Sequence, residues 1–319
     1  MTEKRYDVTA LGEILIDFTE WGFSDSGARL FAQNPGGAVA NVAAAVSRLG
    51  GRAAFVGKVG ADMHGAFLRQ QLADSGVDVS GMATDPDRFT TLAFVKLSEG
   101  GERAFSFARR DTADTNLSRE EVPEPLLTET RVLSVGTLAM TDLPMRDTQL
   151  SCIETAKASG AYIALDPNYR PSLWRSEQDF LRQTERLLSL ADYVKLSDEE
   201  TALVTGHARP EDALASLAAR GIKTAVVTLG RDGAVALSGG HMVRAPGVPA
   251  AAVDATGAGD AFWGGFLFRL LSRGYPMAAQ TAEQLLDCLT FANRVGAYCV
   301  AHLGAISGMP TPEQLNAVP

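Results

Sequence analysis

The chain has 319 residues, 46% hydrophobic and 21% charged, which at roughly 150 residues per domain allows one large α/β unit or two ordinary ones with a substantial core. Its 29 basic and 38 acidic side chains leave a net charge of −9, a balance that argues against a nucleic-acid binder but permits a locally positive pocket. Three scattered cysteines, Cys152, Cys288 and Cys299, suggest neither a disulfide framework nor a zinc site and read as small buried hydrophobes.

The polar start carries no signal-peptide pattern, and residues 8–16 read as one short apolar strand leading to Asp17. Residues 38–49 are rich in alanine and valine at helical spacing and stop at Gly50-Gly51. A strand at 53–59 and a helix at 65–75, closed by Gly76, follow. The alternation resumes with strands at 132–135, 162–165, 193–196 and 224–228, and helices near 145–159 and 213–220. Such alternation predicts a mainly parallel sheet covered on both faces. Residues 90–97 and 102–108 break the rhythm as two strands joined by the turn sequence Ser98-Glu99-Gly100-Gly101. Partnered by 21–31, they read either as a small lid over a site or as an ordinary edge hairpin. A second hairpin, 233–237 with 242–245, turns at Gly239-Gly240, and the chain is mostly helical from Gly257 onward. The longest notably apolar stretch, 261–268, is closed by Arg269, short of the ~18–20 residues that span a bilayer. A cytoplasmic protein without nucleic-acid or membrane partners is expected.

The sharpest motif is Asp254-Ala-Thr-Gly-Ala-Gly-Asp260, leading into an apolar helix. Small residues before a helix leave backbone N–H groups bare at its positive end, an arrangement that binds phosphate. An aspartate in that first turn can take a proton from an attacking hydroxyl; read alone, it can equally complement the helix dipole. No GxxxxGK[ST], no GxGxxG after the first strand and no protein-kinase HRD or DFG set is present.

Gly36-Gly37-Ala-Val-Ala-Asn41-Val-Ala, followed by Gly57-Lys-Val-Gly60-Ala-Asp62-Met-His-Gly65, resembles the N-terminal signature of PfkB-type (ribokinase-like) sugar kinases. The 254–260 motif with Gly264-Gly265 resembles their C-terminal signature. Within that family, Gly12-Glu13-Ile-Leu-Ile-Asp17-Phe, Asp166-Pro-Asn168-Tyr-Arg170 and Lys195-Leu-Ser-Asp-Glu-Glu200 look most like fructokinases. The resemblance implies an α/β, ribokinase-like three-layer sandwich around a mostly parallel sheet, with a small β lid. It implies one kinase domain over 1–319, with lid segments at about 18–34 and 87–110. The implied activity is ATP-dependent transfer of the γ-phosphoryl group to the 6-hydroxyl of D-fructose.

Site roles follow from the same resemblance. Asp260 is the implied general base. The N–H groups of Gly257, Ala258 and Gly259, with that of Asp260, form the implied anion hole, and Arg170 neutralises phosphate oxygens. Asp17, Gly36, Gly37, Asn41 and Asn168 are implied to hold the sugar, with Arg109 approaching it as the lid closes. Lys195, Ser197, Thr228, Gly230, Gly233, Ala292, Asn293 and Gly296 fall on the implied ATP side. Glu200 is implied to organise water around Mg²⁺, and Asp254, Thr256, Cys299, His302 and Gly304 to supply oxygens, mainly from the backbone, to K⁺. The chain departs from the family pattern at Ala108, Ser197, Ala255 and Gly308. A 2-keto-3-deoxygluconate, ribose or nucleoside kinase shares the fold and stays open, as does a catalytically silent sugar sensor. A homodimer through the lid is a further expectation.

Overall fold

The computed structural model describes residues 4–97, 103–316 and 318. In chain order the first half comprises β1 (Tyr6–Leu11), β2 (Leu15–Phe23), β3 (Arg29–Gly36), α1 (Ala38–Arg48), β4 (Ala53–Gly60), α2 (Met63–Asp74), β5 (Asp78–Asp85), β6 (Leu92–Leu97), β7 (Arg103–Ala108), α3 (Pro125–Thr128), β8 (Thr130–Gly136) and α4 (Met145–Ala158). The second half adds β9 (Tyr162–Asp166), α5 (Glu177–Leu188), β10 (Tyr193–Ser197), α6 (Asp198–Thr205), α7 (Pro210–Ala219), β11 (Thr224–Thr228), β12 (Ala234–Ser238), β13 (His241–Ala245), α8 (Ala258–Ser272), α9 (Ala282–Val300) and α10 (Pro312–Leu315).

Nine strands form the main sheet in the order β13-β12-β11-β10-β9-β8-β1-β4-β5. It is parallel except where β12 and β13 fold back on β11, so helices must return each parallel strand to the same edge. Two apolar cores result, one per face. Along β9 and β11, Ala164 and Val226 point toward α1, α8 and α9, while Ile163, Leu165, Ala225 and Val227 point toward α4, α5 and α7. This matches the expected parallel, doubly covered sheet. No helix of the described residues is long and apolar enough to cross a membrane.

A separate four-stranded sheet, ordered β3-β2-β6-β7, pairs β2 with β6 in parallel and the outer pairs antiparallel. The expected hairpin strands are β6 and β7; their turn at 98–101 lies outside the described residues. One expectation is corrected here. Residues 8–16 are not a single strand: β1 ends at Leu11 in the main sheet, and β2 begins at Leu15 in the small one. Gly12 takes φ +152 at the break, and a Cβ there would stand 2.8 Å from Val39 Cγ2. Asp17 therefore belongs to the small sheet, whose segment starts at residue 15 rather than 18.

Helices α1 and α8 pack closely because Gly264 has no side chain: a Cβ there would lie 2.6 Å from Ala45 Cβ. This approach brings the start of α1 against the start of α8.

Candidate active site

Two cavities meet at residues 255–260, where the chain enters α8. The first, of about 370 Å³, is walled by Glu13, Asp17, Gly37, Asn41, Phe107, Asn168, Arg170 and Asp260 among others. The second, of about 740 Å³, runs between Thr228, Gly230, Gly233, Gly259, Asn293 and Gly296.

The N-cap of α8 is Gly257, in the left-handed region at φ +76, and no side chain caps the turn. A Cβ at this position would meet Ala305 Cβ at 2.5 Å, so the conformation and the close approach both demand glycine. The Ala258 N–H turns back to the Ala255 carbonyl at 3.3 Å. The N–H groups of Gly259 and Asp260 remain at the mouth of the helix, where the dipole favours an anion.

Asp260 is buried on the first turn and lines the first cavity. Asn41 Nδ2, on the opposing first turn of α1, donates to its Oδ2 at 2.7 Å. Burial pushes the Asp260 carboxyl above its usual range, while the charge of Lys195, the Asn41 bond and the charge of Arg170 pull it down. The carboxylate is oriented by an amide but not locked into a direct ion pair. Asn41 Oδ1 is buried without a partner, on the cavity wall.

Asp17 faces Gly36 so closely that a Cβ there would lie 2.1 Å from its Oδ2. Asn168 adopts φ +48 just beyond β9, a strained conformation that asparagine tolerates better than most residues. Arg170 follows on the cavity wall, its Nη1 on the Tyr169 carbonyl. The loop is braced by Glu200, whose Oε1 accepts the Tyr169 N–H at 2.7 Å while Oε2 accepts from the N–H and hydroxyl of Ser197.

Several expected residues stand elsewhere. The Arg109 guanidinium is buried at the root of β7, donating to Asp114 (2.7 Å), Thr141 (2.8 Å) and the Leu138 carbonyl (3.0 Å). It anchors the small sheet instead of reaching toward the sugar. Ser197 is the N-cap of α6, its hydroxyl used in a capping box with Glu200. Ala292 sits in the apolar core and does not line the nucleotide-side cavity. His302 is exposed, its ring stacked on Tyr298 and its Nδ1 hydrogen-bonded to the Tyr298 carbonyl.

Lys195 is also not on the cavity wall. It is buried beneath the first turn of α8, where a Cβ on Gly259 would stand 3.1 Å from its Nζ. Nζ donates to Asp166 Oδ2 at 2.6 Å. Burial opposes the Lys195 ammonium, but the acidic groups of Asp166, Glu200 and Asp260 outweigh it and raise its pKa, while burial raises the Asp166 carboxyl against the Lys195 charge; the two groups meet as a buried ion pair. Neither Asp166 nor Glu13 carries a role implied by the family resemblance, although both lie inside its motifs; the signal for each is a carboxylate inside an apolar strand pattern.

Among the described residues no group of three or more His, Cys, Asp or Glu side chains could hold a metal ion. A Mg²⁺ bound with phosphates needs only one or two carboxylates and keeps several waters. Glu200 keeps lone pairs for such a role, whereas Asp166 is taken up by Lys195, and neither carboxylate lines the two cavities. Asp254 accepts the N–H groups of Thr256 and Gly304. The carbonyls of Gly304, Cys299 and Ala305 would stand 2.6, 3.4 and 3.5 Å from a Cβ at Gly308, and the first two accept the Gly308 and His302 N–H groups.

Residues 6–312 match the pfkB family carbohydrate kinase family. The chain belongs to that family. The kinase is 39% identical over 318 residues to Fructokinase-1 of Zea mays, a match covering 99% of this chain and 98% of the relative. A fructokinase crystal structure from Vibrio cholerae, in fructose-, ADP- and calcium-bound form, superposes with a TM-score of 0.87 at 34% identity, covering 98% of this chain and 99% of that one. An aminoimidazole riboside kinase from Salmonella enterica, complexed with its riboside and an ATP analogue, gives 0.84 at 31%, covering 97% and 98%. The kinase therefore has the three-layer fold with a smaller separate sheet and transfers a phosphoryl group to a sugar hydroxyl.

Proposed function

We infer that the protein is an ATP-dependent fructokinase that phosphorylates the 6-hydroxyl of D-fructose. The observation that carries the reading is Asp260, oriented by Asn41 at the junction of a polar cavity and a glycine-lined one. Fructose lies in the first cavity against Asp17, Gly36, Gly37, Asn41 and Asn168. Asp260 takes the proton of the attacking hydroxyl, and the N–H groups at the start of α8, with Arg170, stabilise the charge spread over the transferring group. Because the transition state is loose, positioning matters more than base strength, so a carboxylate raised only by burial is adequate.

ATP occupies the second cavity, and Gly296 keeps its wall low. Mg²⁺ bound with the phosphates would supply charge neutralisation, with Glu200 organising water around it, and K⁺ would draw on oxygens of residues 254, 256, 299, 302 and 304, mainly from the backbone. The small sheet acts as a lid over one kinase domain. Its outer face stacks Phe18 on Phe94, with Phe31 edge-on, and leaves Phe31 and Phe94 exposed. This patch fits the same face of a second copy, and Phe94→Asp converts a dimer to a monomer in gel filtration if that is so. A cytoplasmic setting suits the three buried, unpaired thiols.

The test is fructose-dependent ADP release compared with 2-keto-3-deoxygluconate, ribose and adenosine. Fructose is expected to give the highest kcat/KM; a preference for adenosine, favoured by Phe107 on the cavity wall, would replace the substrate and keep the reaction.

A further inference from the structure

Glu13 lies in the break between β1 and β2, buried, on the wall of the sugar-side cavity. Its Oε1 accepts the Ala38 N–H of α1 at 2.7 Å. That contact supplies the helix with the cap its own N-cap, Gly37, cannot make. Its Oε2 is buried and makes no hydrogen bond to any other residue. A buried acceptor without a donor is unfavourable unless the working protein completes it.

The neighbouring cation does not do so. Arg109, the positive charge acting on Glu13, gives three of its five N–H donors to Asp114, Thr141 and the Leu138 carbonyl and makes no hydrogen bond to Oε2. The remaining candidate is whatever fills the cavity. We propose that Glu13 is a sugar-binding residue: Oε1 holds the turn that carries Gly37, and Oε2 accepts a hydroxyl of the phosphoryl acceptor. In its ionised form Oε2 accepts, and with Asp17 on the same wall the pair suits a polyhydroxy acceptor that donates hydroxyls to both. This rests on the fructokinase reading and adds to it the residue that recognises the sugar's far end.

Calorimetry on the full chain tests it, with fructose, a series of fructose analogues each lacking one hydroxyl, and ADP as a control. Glu13→Gln keeps a carbonyl for Ala38 and puts an amino group where Oε2 was. Fructose affinity is expected to fall at least tenfold while ADP affinity stays within twofold. One analogue, lacking the hydroxyl that Oε2 accepts, is expected to lose far less. Unchanged fructose affinity, or an equal loss for fructose and every analogue, would leave Glu13 as a helix brace only and overturn the proposal. Should Glu13→Gln not fold, a fructose-bound crystal structure of the unaltered chain decides: a sugar oxygen within about 3.2 Å of Oε2 supports the contact, and an Oε2 that meets no sugar oxygen refutes it. A wild-type chain that binds no fructose overturns the fructokinase reading together with this one. Fructose binding with no response to Glu13→Gln overturns only the role of Glu13.

Discussion

The two cavities that meet at α8 are built from different materials. The sugar side is walled by Glu13, Asp17, Asn41, Asn168, Arg170 and Asp260, side chains that carry charge or an amide. The nucleotide side is mostly glycine, alanine and small apolar residues, including Gly230, Gly233, Gly247, Ala250, Ala258, Gly259, Gly296 and Ala297. Even Asn293 on that side spends its amide on the Ala245 and Pro246 carbonyls, shaping the wall. Hydroxyls are told apart by placed acceptors and donors, whereas a polyphosphate is held by bare backbone and an open slot. Selectivity is thus concentrated on one side of the helix and reach on the other.

Substitutions on each side should break this contrast differently. Asp260→Asn is expected to lower kcat by about 10²–10⁴, the range of general-base catalysis, with ADP affinity in calorimetry nearly unchanged. Wild-type turnover in that variant would remove the base from the mechanism. Next comes the pair beneath the helix. Lys195→Met strands Asp166 as a buried carboxylate, and chemical denaturation should show a loss of about 3–5 kcal/mol; adding Asp166→Asn should recover part of that stability. On the nucleotide side, Gly296→Val would press on the Ala258 carbonyl and Phe262. It should raise the KM for ATP by about tenfold or more and leave the fructose KM in place; equal effects on both substrates would dissolve the division between the cavities.

The smallest effect sharpens the sugar side. Burial pushes the Glu13 carboxyl from 4.5 up to about 7, with Arg109 opposing and Asp114 reinforcing. The folded chain then holds this proton more tightly than the unfolded chain, so this group's contribution to stability falls as pH rises from about 4.5 to 7. Glu13→Gln removes that decline. Its melting temperature relative to wild type should climb by a few degrees between about pH 5 and 8, and a constant difference would show that the carboxyl titrates alike in the folded and unfolded chain.

Much of the scaffold was legible because its signals are local. The strand at 224–228 matches β11 (Thr224–Thr228), and the helix read over 38–49 matches α1 (Ala38–Arg48) to within a residue. Both are continuous apolar runs bounded by glycine, Gly50-Gly51 after α1 and Gly221 and Gly230 around β11. The 254–260 motif was legible for the same reason, since a glycine N-cap and a first-turn acid are encoded within one turn of chain. The strand break at 12–14 was not. Residues on both sides of it are buried, so the apolar run continues unbroken while the chain passes from one sheet to the other. Arg109 misled in a similar way: its partner Asp114 lies only five residues away, but burial of the pair depends on Thr141 and Leu138 across the fold.

The sequence alone determined the alternation of strands and helices, the anion-binding turn and the acid placed in it, because neighbouring residues set backbone conformation. Tertiary structure decided which carboxylates share one site. Asp166 meets Lys195 because β9 and β10 are adjacent in the sheet, and Asp260 meets Asn41 because Gly264 lets two helices touch. Hydrogen bonds and charges act over a few ångströms, and only packing brings residues distant in the chain within that range.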